Sequence, residues 1–470
     1  MVKVYISQDK YAYDVHSLFK AFFSKVDVKV VPSSGDFFED SCGDEIVYHI
    51  DVDVDKNELK RNIYKLLSKE TGKELPWGNL TGIRPTRIVM NLLDEGYTDD
   101  EVRAYMKDTY FVSDEKIELS LLIAHREKEI LKDIDYENGY SLYIGIPFCP
   151  TRCLYCSFTA YPIGAYANIV DNYLSCLEKE IDYVAENFKD KTLDTIYIGG
   201  GTPTTLEPHQ IERLLSYVYD KLDTSKVKEL TVESGRPDSI TREKLQTMKK
   251  LGVTRISVNP QSMKDETLEL IGRRHSVKEL VDAFKLAREE GFDNINMDII
   301  LGLPGEDERD VAYTMEEIKK LNPDDLTVHS LAIKRGSKLA EILLEKKADA
   351  KGKGNILHGE EEEALVMSKM IKEASEGAAD MGLLPYYLYR QKNISGNYEN
   401  TGYAREGKAG IYNILINEEV QSIVALGAGT VTKRVYGFGG RIERCDNVKD
   451  VKLYMEQIDD MIERKRQLFS

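Results

Sequence analysis

Between residues 139 and 340, short apolar runs alternate with longer helical segments, and this alternation constrains the fold more than any other feature of the chain. The helical segment at 276–291 opens with a capping box, formed by Ser276 and Glu279, and closes at a glycine. Strands that alternate with helices of this length predict right-handed βαβ units and a parallel sheet. Six such units fit either a doubly wound sheet or a barrel that does not close fully, and periodicity alone does not separate the two. The predicted strands lie at 142–148, 195–201, 230–234, 255–261, 295–305 and 325–333.

Two further regions flank this α/β segment. Residues 1–138 mix short β-like runs with helix-like segments, among them 114–131, where apolar residues recur at helical spacing. A charge-dense stretch at 338–363 predicts a domain boundary. The chain beyond it starts helical and recovers β character around 420–439. We therefore expect three domains, which are an N-terminal α+β extension at 1–138, an α/β domain at 139–340 and a C-terminal accessory domain at 341–470.

The bulk composition limits the classes of function. A chain of 470 residues exceeds one ordinary domain, and a net charge of −17 argues against a nucleic-acid-binding protein, which needs a basic footprint. The N-terminus lacks the apolar core of a secretion signal, and no apolar run approaches the roughly 20 residues that span a bilayer. Six cysteines in a chain of this length do not form a disulfide scaffold. We therefore predict a cytoplasmic protein that neither binds nucleic acid nor inserts into a membrane.

Three cysteines lie close together directly after the first predicted strand, with the spacing C-x3-C-x2-C; they are Cys149, Cys153 and Cys156. Thiolates are soft ligands that suit zinc or an iron–sulfur cluster. A structural zinc site needs four ligands, and no further Cys or His lies nearby in the sequence. A [4Fe–4S] cluster held by three cysteines keeps one iron open for an external ligand. The spacing therefore favours such a cluster, while a zinc site and plain structural cysteines stay open as alternatives.

Other strand ends of the α/β segment also carry polar or flexible residues. The stretch GGGTPT at 199–204 follows the second predicted strand, and glycines there let the backbone approach a ligand closely. Glu233, Gln261 and Asp298 lie in or after the third, fourth and fifth strands. Polar side chains at successive strand ends point to a common centre in a parallel α/β fold. Each of them alone also fits a helix cap, a tight turn or a solvated loop, and the joint pattern is what favours a site.

The cysteine segment YIGIPFCPTRCLYC resembles the cluster loop of radical S-adenosylmethionine (SAM) enzymes. More specifically, residues 139–340 and parts of the C-terminal region resemble the oxygen-independent coproporphyrinogen III oxidase family, in the motifs GGGTPT, QSMKDETLELIGRRHS, NMDIILGLPGE and LGAGTVTK. The long N-terminal extension and the sequences GNLTGIRPTR and YYLYRQKN are similar to the HemZ-type branch of that family. The resemblance implies an α/β fold, with a partial (β/α)6 radical-SAM barrel, an N-terminal α+β extension and a C-terminal accessory domain.

The resemblance also implies the residues that bind the cofactors. The ligands of a [4Fe–4S] cluster fall on Cys149, Cys153 and Cys156, and the amino and carboxylate groups of SAM bind the fourth iron. The implied SAM contacts are Tyr143, Tyr155, Gly200, Gly201, Thr202, Glu233, Gln261, Arg273 and Asp298, with two apolar contacts at Ala332 and Val431. Some of these contacts belong to a second SAM molecule in part of the family.

Two positions depart from the best-studied branch of the family. A histidine that stands there two residues after the tyrosine is replaced here by Gly145. An extra cysteine after the third cluster ligand is replaced by Ser157 and Phe158. Neither change affects cluster binding, and both leave the reaction open.

The implied reaction is the oxidative decarboxylation of two propionates of coproporphyrinogen III to vinyl groups, through a 5′-deoxyadenosyl radical, to give protoporphyrinogen IX. A low-potential electron donor, such as flavodoxin or ferredoxin, and a tetrapyrrole substrate are the implied partners. Arginine suits carboxylates, and the candidate cations for the propionates are Arg84, Arg87, Arg236, Arg390 and Lys392. Two alternatives remain, which are a radical SAM methyltransferase that opens haem and a haem-binding chaperone that uses His275 or His329 as an axial ligand.

Overall fold

The computed structural model of the protein describes residues 1–24, 26–32, 46–158, 160–332, 337–342, 356–391, 398–437 and 440–470, with the backbone alone for 356–363. Within these residues, no helix is both long enough and apolar enough to cross a membrane.

The N-terminal region contains a small parallel sheet followed by helices. Strand β1 pairs with β2 on one side and with β3 on the other. One face of β1 is buried at Val2, Val4 and Ile6, because alternate residues of a strand point to the same side. The predicted helix at 114–131 is confirmed as α5, which Ser113 caps at its first turn. The elements are β1 (Val2–Ile6), α1 (Ala12–Phe22), β2 (Val28–Pro32), β3 (Ile46–Ile50), α2 (Lys56–Thr71), α3 (Thr86–Asp94), α4 (Asp99–Tyr110) and α5 (Asp114–Ile130).

The middle region is a singly wound α/β unit. Its six long strands are all parallel and lie side by side in chain order, β4-β7-β8-β9-β10-β11. A doubly wound sheet reverses its strand order at one point, so this order decides for the barrel-like alternative. The elements are β4 (Gly139–Ile146), β5 (Phe148–Cys149), β6 (Tyr161–Pro162), α6 (Ile163–Tyr166), α7 (Val170–Asn187), β7 (Thr192–Gly200), α8 (Pro208–Lys221), β8 (Glu229–Glu233), α9 (Arg242–Lys250), β9 (Arg255–Ser257), α10 (Asp265–Leu270), α11 (Val277–Glu289), β10 (Ile295–Leu301), α12 (Glu308–Leu321) and β11 (Asp325–Ser330), with short 3-10 turns at 167–169, 203–205 and 237–239.

The C-terminal region adds strands to both edges of this sheet. Strand β13 pairs antiparallel with β11, and β14 pairs parallel with β4. With the six long strands of the middle region, the described C-terminal strands form an eleven-stranded sheet that ends at β12 and β16. The predicted charge-dense boundary lies largely outside the described residues. The elements are α13 (Ile356–Asp380), β12 (Leu384–Arg390), β13 (Glu399–Ala404), α14 (Ile411–Glu418), β14 (Ser422–Leu426), β15 (Val431–Val435), β16 (Ile442–Asp446), α15 (Val451–Glu456) and α16 (Ile458–Phe469).

Buried polar contacts join the N-terminal helices to the C-terminal strands. The Trp77 indole N–H donates to Glu399 Oε2 at 2.7 Å, and Lys116 Nζ donates to the other oxygen of the same carboxylate at 2.7 Å. Arg390 Nη1 donates to the main-chain oxygen of Leu80 at 2.8 Å. A buried carboxylate needs such partners, since leaving it unpaired costs several kcal/mol. These contacts hold the helices that follow Leu75 against the edge of the large sheet.

Candidate functional site

The loop that carries the three cysteines, residues 149–156, is anchored at its tip and at its ends. Cys149 ends β5, which pairs with β6 on the far side of the loop. Leu154 N donates to Ile271 O at 3.0 Å, and Leu154 O accepts from Leu339 N at 2.9 Å. All three cysteines are partly exposed. The loop therefore lies across the carboxyl ends of the barrel strands, where sites of parallel α/β folds collect.

Hydrogen-bond donors approach two of the three thiols. Thr202 Oγ1 donates to Cys149 Sγ at 3.4 Å, and Arg236 Nη1 donates to Cys153 Sγ at 3.7 Å. Burial raises the pKa of Cys149 to about 11, although the bond from Thr202 acts in the opposite direction. The thiol therefore keeps its proton until a metal displaces it. Donors to cluster sulfurs also adjust the reduction potential of a bound cluster.

The glycine turn after β7 brings its backbone against the cysteine loop. Gly201 N donates to Ile146 O at 2.8 Å, and Thr202 N donates to Phe148 O at 2.7 Å. A Cβ on Gly201 would lie 2.5 Å from Phe148 O and 3.0 Å from Cys149 Sγ, which no ordinary side chain tolerates. The position therefore requires glycine because of a close approach to the first cysteine.

Three tyrosine rings stack inside the barrel beside the partly buried carboxyl group of Glu233. Tyr143 and Tyr197 stand 6.0 Å apart between centroids, and Tyr412 stacks on Tyr197 at 4.4 Å. The Tyr197 hydroxyl donates to Glu233 Oε1 at 2.7 Å. Burial raises the pKa of Glu233 to about 7, and the bond from Tyr197 opposes this rise. Glu233 thus changes its charge near neutral pH, which is where a functional carboxyl is useful.

Tyr412 was missed by the sequence reasoning. It lies in α14, far along the chain from the other two rings, and it stacks on Tyr143 at 6.1 Å. The Glu229 carboxylate accepts from Ile411 N at 2.5 Å and so caps the first turn of this helix. The bond to Glu229 joins β8 to α14, which are far apart in the chain, so no local pattern in the sequence indicates the position of Tyr412.

Gln261 and Arg273 follow β9 in the chain, and Gln261 contacts Asp298, which lies in the middle of β10. Gln261 N donates to Asp298 O at 2.9 Å, and Gln261 has a left-handed φ of 66°. Arg273 is buried, and its Nη1 donates to Asn259 O at 2.6 Å. Burial opposes the charge of Arg273, but the neighbouring Tyr155 and Cys153 side chains outweigh it and raise the pKa. Arg273 thus links the cysteine loop to the strand ends.

Two cavities flank these residues. One of about 800 Å³ lies beside the cysteine loop and contains three arginines, which are Arg152, Arg273 and Arg274. The other, of about 350 Å³, lies inside the barrel and is lined by Tyr197, Glu233, Arg255, Ser257, Asn296, Asp298, Thr327, His329, Tyr387, Tyr389, Asn413, Ile416 and Asn417. His329 Nε2 stands 4.0 Å from Asp298 Oδ2. The barrel interior is therefore polar, and it presents both carboxyl groups of the predicted site.

Several buried polar atoms around the cysteine loop have no hydrogen-bond partner in the part of the chain that the structure describes; they are Ser234 Oγ, Asn259 Oδ1, Arg273 Nε and both ring nitrogens of His275. Native proteins leave few such atoms unpaired. Across the same described ranges, no three Cys, His, Asp or Glu side chains converge as they do around one metal ion. Three thiols on one short loop suit a [4Fe–4S] cluster, in which each cysteine binds a different iron, and the unpaired atoms are available to a polar ligand.

Two predicted apolar contacts lie apart from these interactions. Ala332 follows β11 and is partly buried against the barrel core. Val431 begins β15 and is 37% exposed. Its neighbour Thr430 fills the space beside Gly145, since a Cβ on Gly145 would lie 2.6 Å from Thr430 Cγ2. Glycine at position 145 therefore leaves space for a threonine methyl group from the C-terminal region.

Four of the five candidate cations for the propionates lie among the described residues, and each of these four has a hydrogen-bond or ion-pair partner within the protein. Arg84 and Arg87 both donate to the main-chain oxygen of Glu418, at 3.3 and 2.6 Å. Arg236 forms an ion pair with Asp238 at 2.7 Å, and Arg390 bonds to Leu80 as described above. Lys392 lies outside the described residues. His275 is 4% exposed, and burial together with Arg273 and Arg236 lowers its pKa to about 4.

The chain is similar to known proteins over its barrel and beyond. The sequence profile of the Radical SAM superfamily matches residues 143–318, which include the cysteine loop. The oxygen-independent coproporphyrinogen-III oxidase-like protein HemZ of Bacillus subtilis is 40% identical over 414 residues, which are 87% of this chain and 80% of the relative. The haem chaperone HemW of the same species is 38% identical over 194 residues, which are 41% of this chain and 50% of the relative.

A solved structure shares the fold. The coproporphyrinogen III oxidase (HemN) of Escherichia coli, described as a radical SAM enzyme, matches with a TM-score of 0.53 and 23% identity. The match covers 69% of this chain and 70% of that one. The open parallel barrel described above is therefore the fold of that protein.

Proposed function

Because the chain belongs to the family of the oxygen-independent coproporphyrinogen-III oxidase-like proteins, within the radical SAM superfamily, we propose that it decarboxylates two propionates of coproporphyrinogen III to vinyl groups, giving protoporphyrinogen IX. The observation that carries this proposal is the 40% identity to the HemZ protein over 87% of the chain. In each half of the reaction a propionate loses one hydrogen atom from its β carbon to the 5′-deoxyadenosyl radical, one electron to an external one-electron acceptor, and CO2. The carbon–carbon bond to the carboxylate breaks, and a double bond forms in the side chain.

The cofactors of this family are a [4Fe–4S] cluster and SAM, which on reduction supply the 5′-deoxyadenosyl radical that takes the hydrogen atom. The three cysteines of the loop would each bind one iron, and their partly exposed thiols fit that role. Thr202 and Arg236 would donate hydrogen bonds to two of the bound sulfurs. Cys149 loses its proton when iron binds.

The remaining residues of the site would bind and orient SAM. Glu233, Gln261, Arg273 and Asp298 present charged and polar groups at neighbouring strand ends, and Gly200 and Gly201 bring the backbone close to the cysteine loop. The other proposed contacts are Tyr143, Tyr155, Thr202, Ala332 and Val431.

The cavity of about 800 Å³ beside the cysteine loop contains Arg152 and Arg274, which are the arginines that we assign to the substrate's carboxylates. Arg84, Arg87 and Arg390 donate to main-chain oxygens of the protein, and Arg236 pairs with Asp238 beside the cysteine loop. Arginine binds carboxylates through two parallel hydrogen bonds. The electron consumed in each SAM cleavage would come from a low-potential donor, such as flavodoxin or ferredoxin.

The test is an anaerobic turnover of the reconstituted protein with SAM, a low-potential reductant and coproporphyrinogen III, followed by mass spectrometry. The proposal predicts 5′-deoxyadenosine together with the doubly decarboxylated porphyrinogen. Cys153→Ala is expected to abolish both products, whereas Cys176→Ala, outside the loop, is the matched control and keeps them. Formation of 5′-deoxyadenosine without the decarboxylated product would contradict the substrate assignment.

A haem-binding chaperone is the second candidate function, because the chain is 38% identical to the HemW haem chaperone over 194 residues. His329 lies in the barrel cavity and is 30% exposed, so it is the accessible histidine of the two suggested by sequence. A chaperone predicts a stable haem complex whose Soret band shifts in His329→Ala. Turnover of coproporphyrinogen III by a protein that does not retain haem would rule this candidate out.

A further inference from the structure

Asn259 stands between two residues that we assign to SAM binding. Its Nδ2 donates to Asp298 Oδ2 at 2.7 Å, and its main-chain oxygen accepts from Arg273 Nη1 at 2.6 Å. Two residues further on, Gln261 N donates to Asp298 O at 2.9 Å. Asn259 therefore fixes the carboxylate of one strand end and the guanidinium of the next loop at the same time.

The side-chain amide oxygen of Asn259 takes no part in these contacts. The side chain is 9% exposed, and its Oδ1 is buried without a partner among the described residues. Flipping the amide would place that oxygen against the carboxylate of Asp298, where two acceptors repel each other, so the orientation is fixed by its partner. An unpaired buried acceptor costs free energy unless a ligand supplies a donor.

The chain also makes room for this side chain. A Cβ on Gly235, at the end of the neighbouring strand β8, would lie 2.9 Å from Asn259 Nδ2. Arg273 Nη1 contacts Gly235 O as well, at 3.4 Å. Glycine at 235 thus permits Asn259 and Arg273 to meet above the strand ends.

We infer that Asn259 is a further SAM-binding residue, which positions Asp298 and Arg273 and offers its Oδ1 to a ribose hydroxyl or the ammonium group of SAM. The inference rests on the proposed assignment of Asp298 and Arg273 to SAM, and it does not depend on the tetrapyrrole substrate.

Asn296 provides a matched control. Its Nδ2 donates to the other oxygen of the same carboxylate, Asp298 Oδ1, also at 2.7 Å. Its own Oδ1 already accepts from Thr327 Oγ1 at 3.2 Å, so, unlike the Oδ1 of Asn259, it has a partner within the protein. Asn259→Ala and Asn296→Ala therefore remove equivalent bonds to Asp298, and they differ in the second role that we assign to Asn259.

The experiment measures the SAM dissociation constant of the wild type and both variants by calorimetry, and the unfolding temperature of each cofactor-free protein. Asn259→Ala should weaken SAM binding about tenfold, because a hydrogen bond to the ligand is lost. Asn296→Ala should weaken it less, and the two variants should unfold at similar temperatures. The change that SAM causes in the paramagnetic resonance spectrum of the reduced cluster should need correspondingly more SAM in Asn259→Ala.

Equal SAM affinities of the two variants, or an effect of Asn259→Ala that follows its unfolding temperature, would overturn the inference. If Asn259→Ala shows the predicted loss of SAM affinity but the wild type makes no protoporphyrinogen, the proposed function is wrong and the inference stands.

Discussion

Replacing Gly145 by alanine tests how the barrel meets the C-terminal region. The new Cβ would lie 2.6 Å from Thr430 Cγ2 and 3.3 Å from Leu426 O. Thr430 cannot rotate away easily, because it is β-branched and its Oγ1 donates to Gly427 O at 2.8 Å. Gly427 N is held in turn by Glu180 Oε2 at 2.7 Å. Movement of Thr430 therefore does not relieve the clash that alanine at position 145 would cause.

The expected cost follows from these contacts. Overpacking of a rigid site costs about 1–3 kcal/mol, and the smaller freedom of alanine in the unfolded chain returns about 0.4–1 kcal/mol. Gly145→Ala should thus lower the free energy of unfolding by about 1–2 kcal/mol. Thr430→Ser removes the clashing methyl group but keeps the hydroxyl, at a cost of about 1 kcal/mol. In the double variant the clash is gone, so the double variant should be less destabilised than the sum of the two single ones.

The assay is urea unfolding of the cofactor-free protein, with Gly164→Ala as the control, since a Cβ at that position meets nothing within 4 Å. Interacting sites show coupling energies of about 0.5–3 kcal/mol, whereas independent sites add within about 0.5 kcal/mol. Additive effects of Gly145→Ala and Thr430→Ser would refute the reasoning, and so would a Gly145→Ala variant as stable as the wild type.

Three further predictions concern the cluster, the barrel carboxyl and a buried ion pair. Alanine in place of any one of the three loop cysteines should lower the iron content of the reconstituted protein well below about four per chain, whereas Cys176→Ala should leave it unchanged by iron assay. The pKa of Glu233 is raised to about 7, so its protonated form stabilises the fold fully below the unfolded pKa, and this stability is lost as the pH rises through 7. In urea unfolding of the cofactor-free proteins, the free energy of unfolding of Glu233→Gln relative to the wild type should therefore rise by about 1–3 kcal/mol between pH 5 and pH 8. A difference that stays constant with pH would contradict the shift. Lys465→Met leaves the buried Glu180 without its cation, which stands at 2.7 Å, and should cost about 3–5 kcal/mol, whereas Arg466→Met breaks an exposed pair and should cost less than about 1 kcal/mol in the same assay.

The barrel strands were predictable because their signal is local. Each apolar run between helical segments became a strand, and the capping box at Ser276 begins α11 as predicted. The choice between barrel and doubly wound sheet was not predictable, since it depends on which strands pair. The pairing of β14 with β4 joins distant parts of the chain, and no short pattern encodes it.

The residues of the candidate site likewise differ in how far the sequence alone reveals them. The cysteines stand out by their spacing, and Glu233, Gln261 and Asp298 by their positions in or after the predicted strands; the assignment of these residues to the cofactors stays a prediction. Tyr412 and Asn259 were missed, because their roles come from contacts with Tyr197 and Asp298 that only the folded chain makes. Arg84 and Arg87 are candidates for the substrate by residue type, yet both donate to the main-chain oxygen of Glu418, and Arg84 also pairs with the Glu419 carboxylate. Residue type alone does not reveal what a cation binds.

The central claim is that this protein takes a hydrogen atom from the propionate side chains of coproporphyrinogen III. Its most direct test is an anaerobic turnover with substrate that carries deuterium at the β carbons of the propionates, and mass spectrometry of the 5′-deoxyadenosine that forms. The account predicts 5′-deoxyadenosine with one added deuterium, formed along with vinyl products. Unlabelled 5′-deoxyadenosine, or substrate recovered unchanged with its label intact, would contradict it.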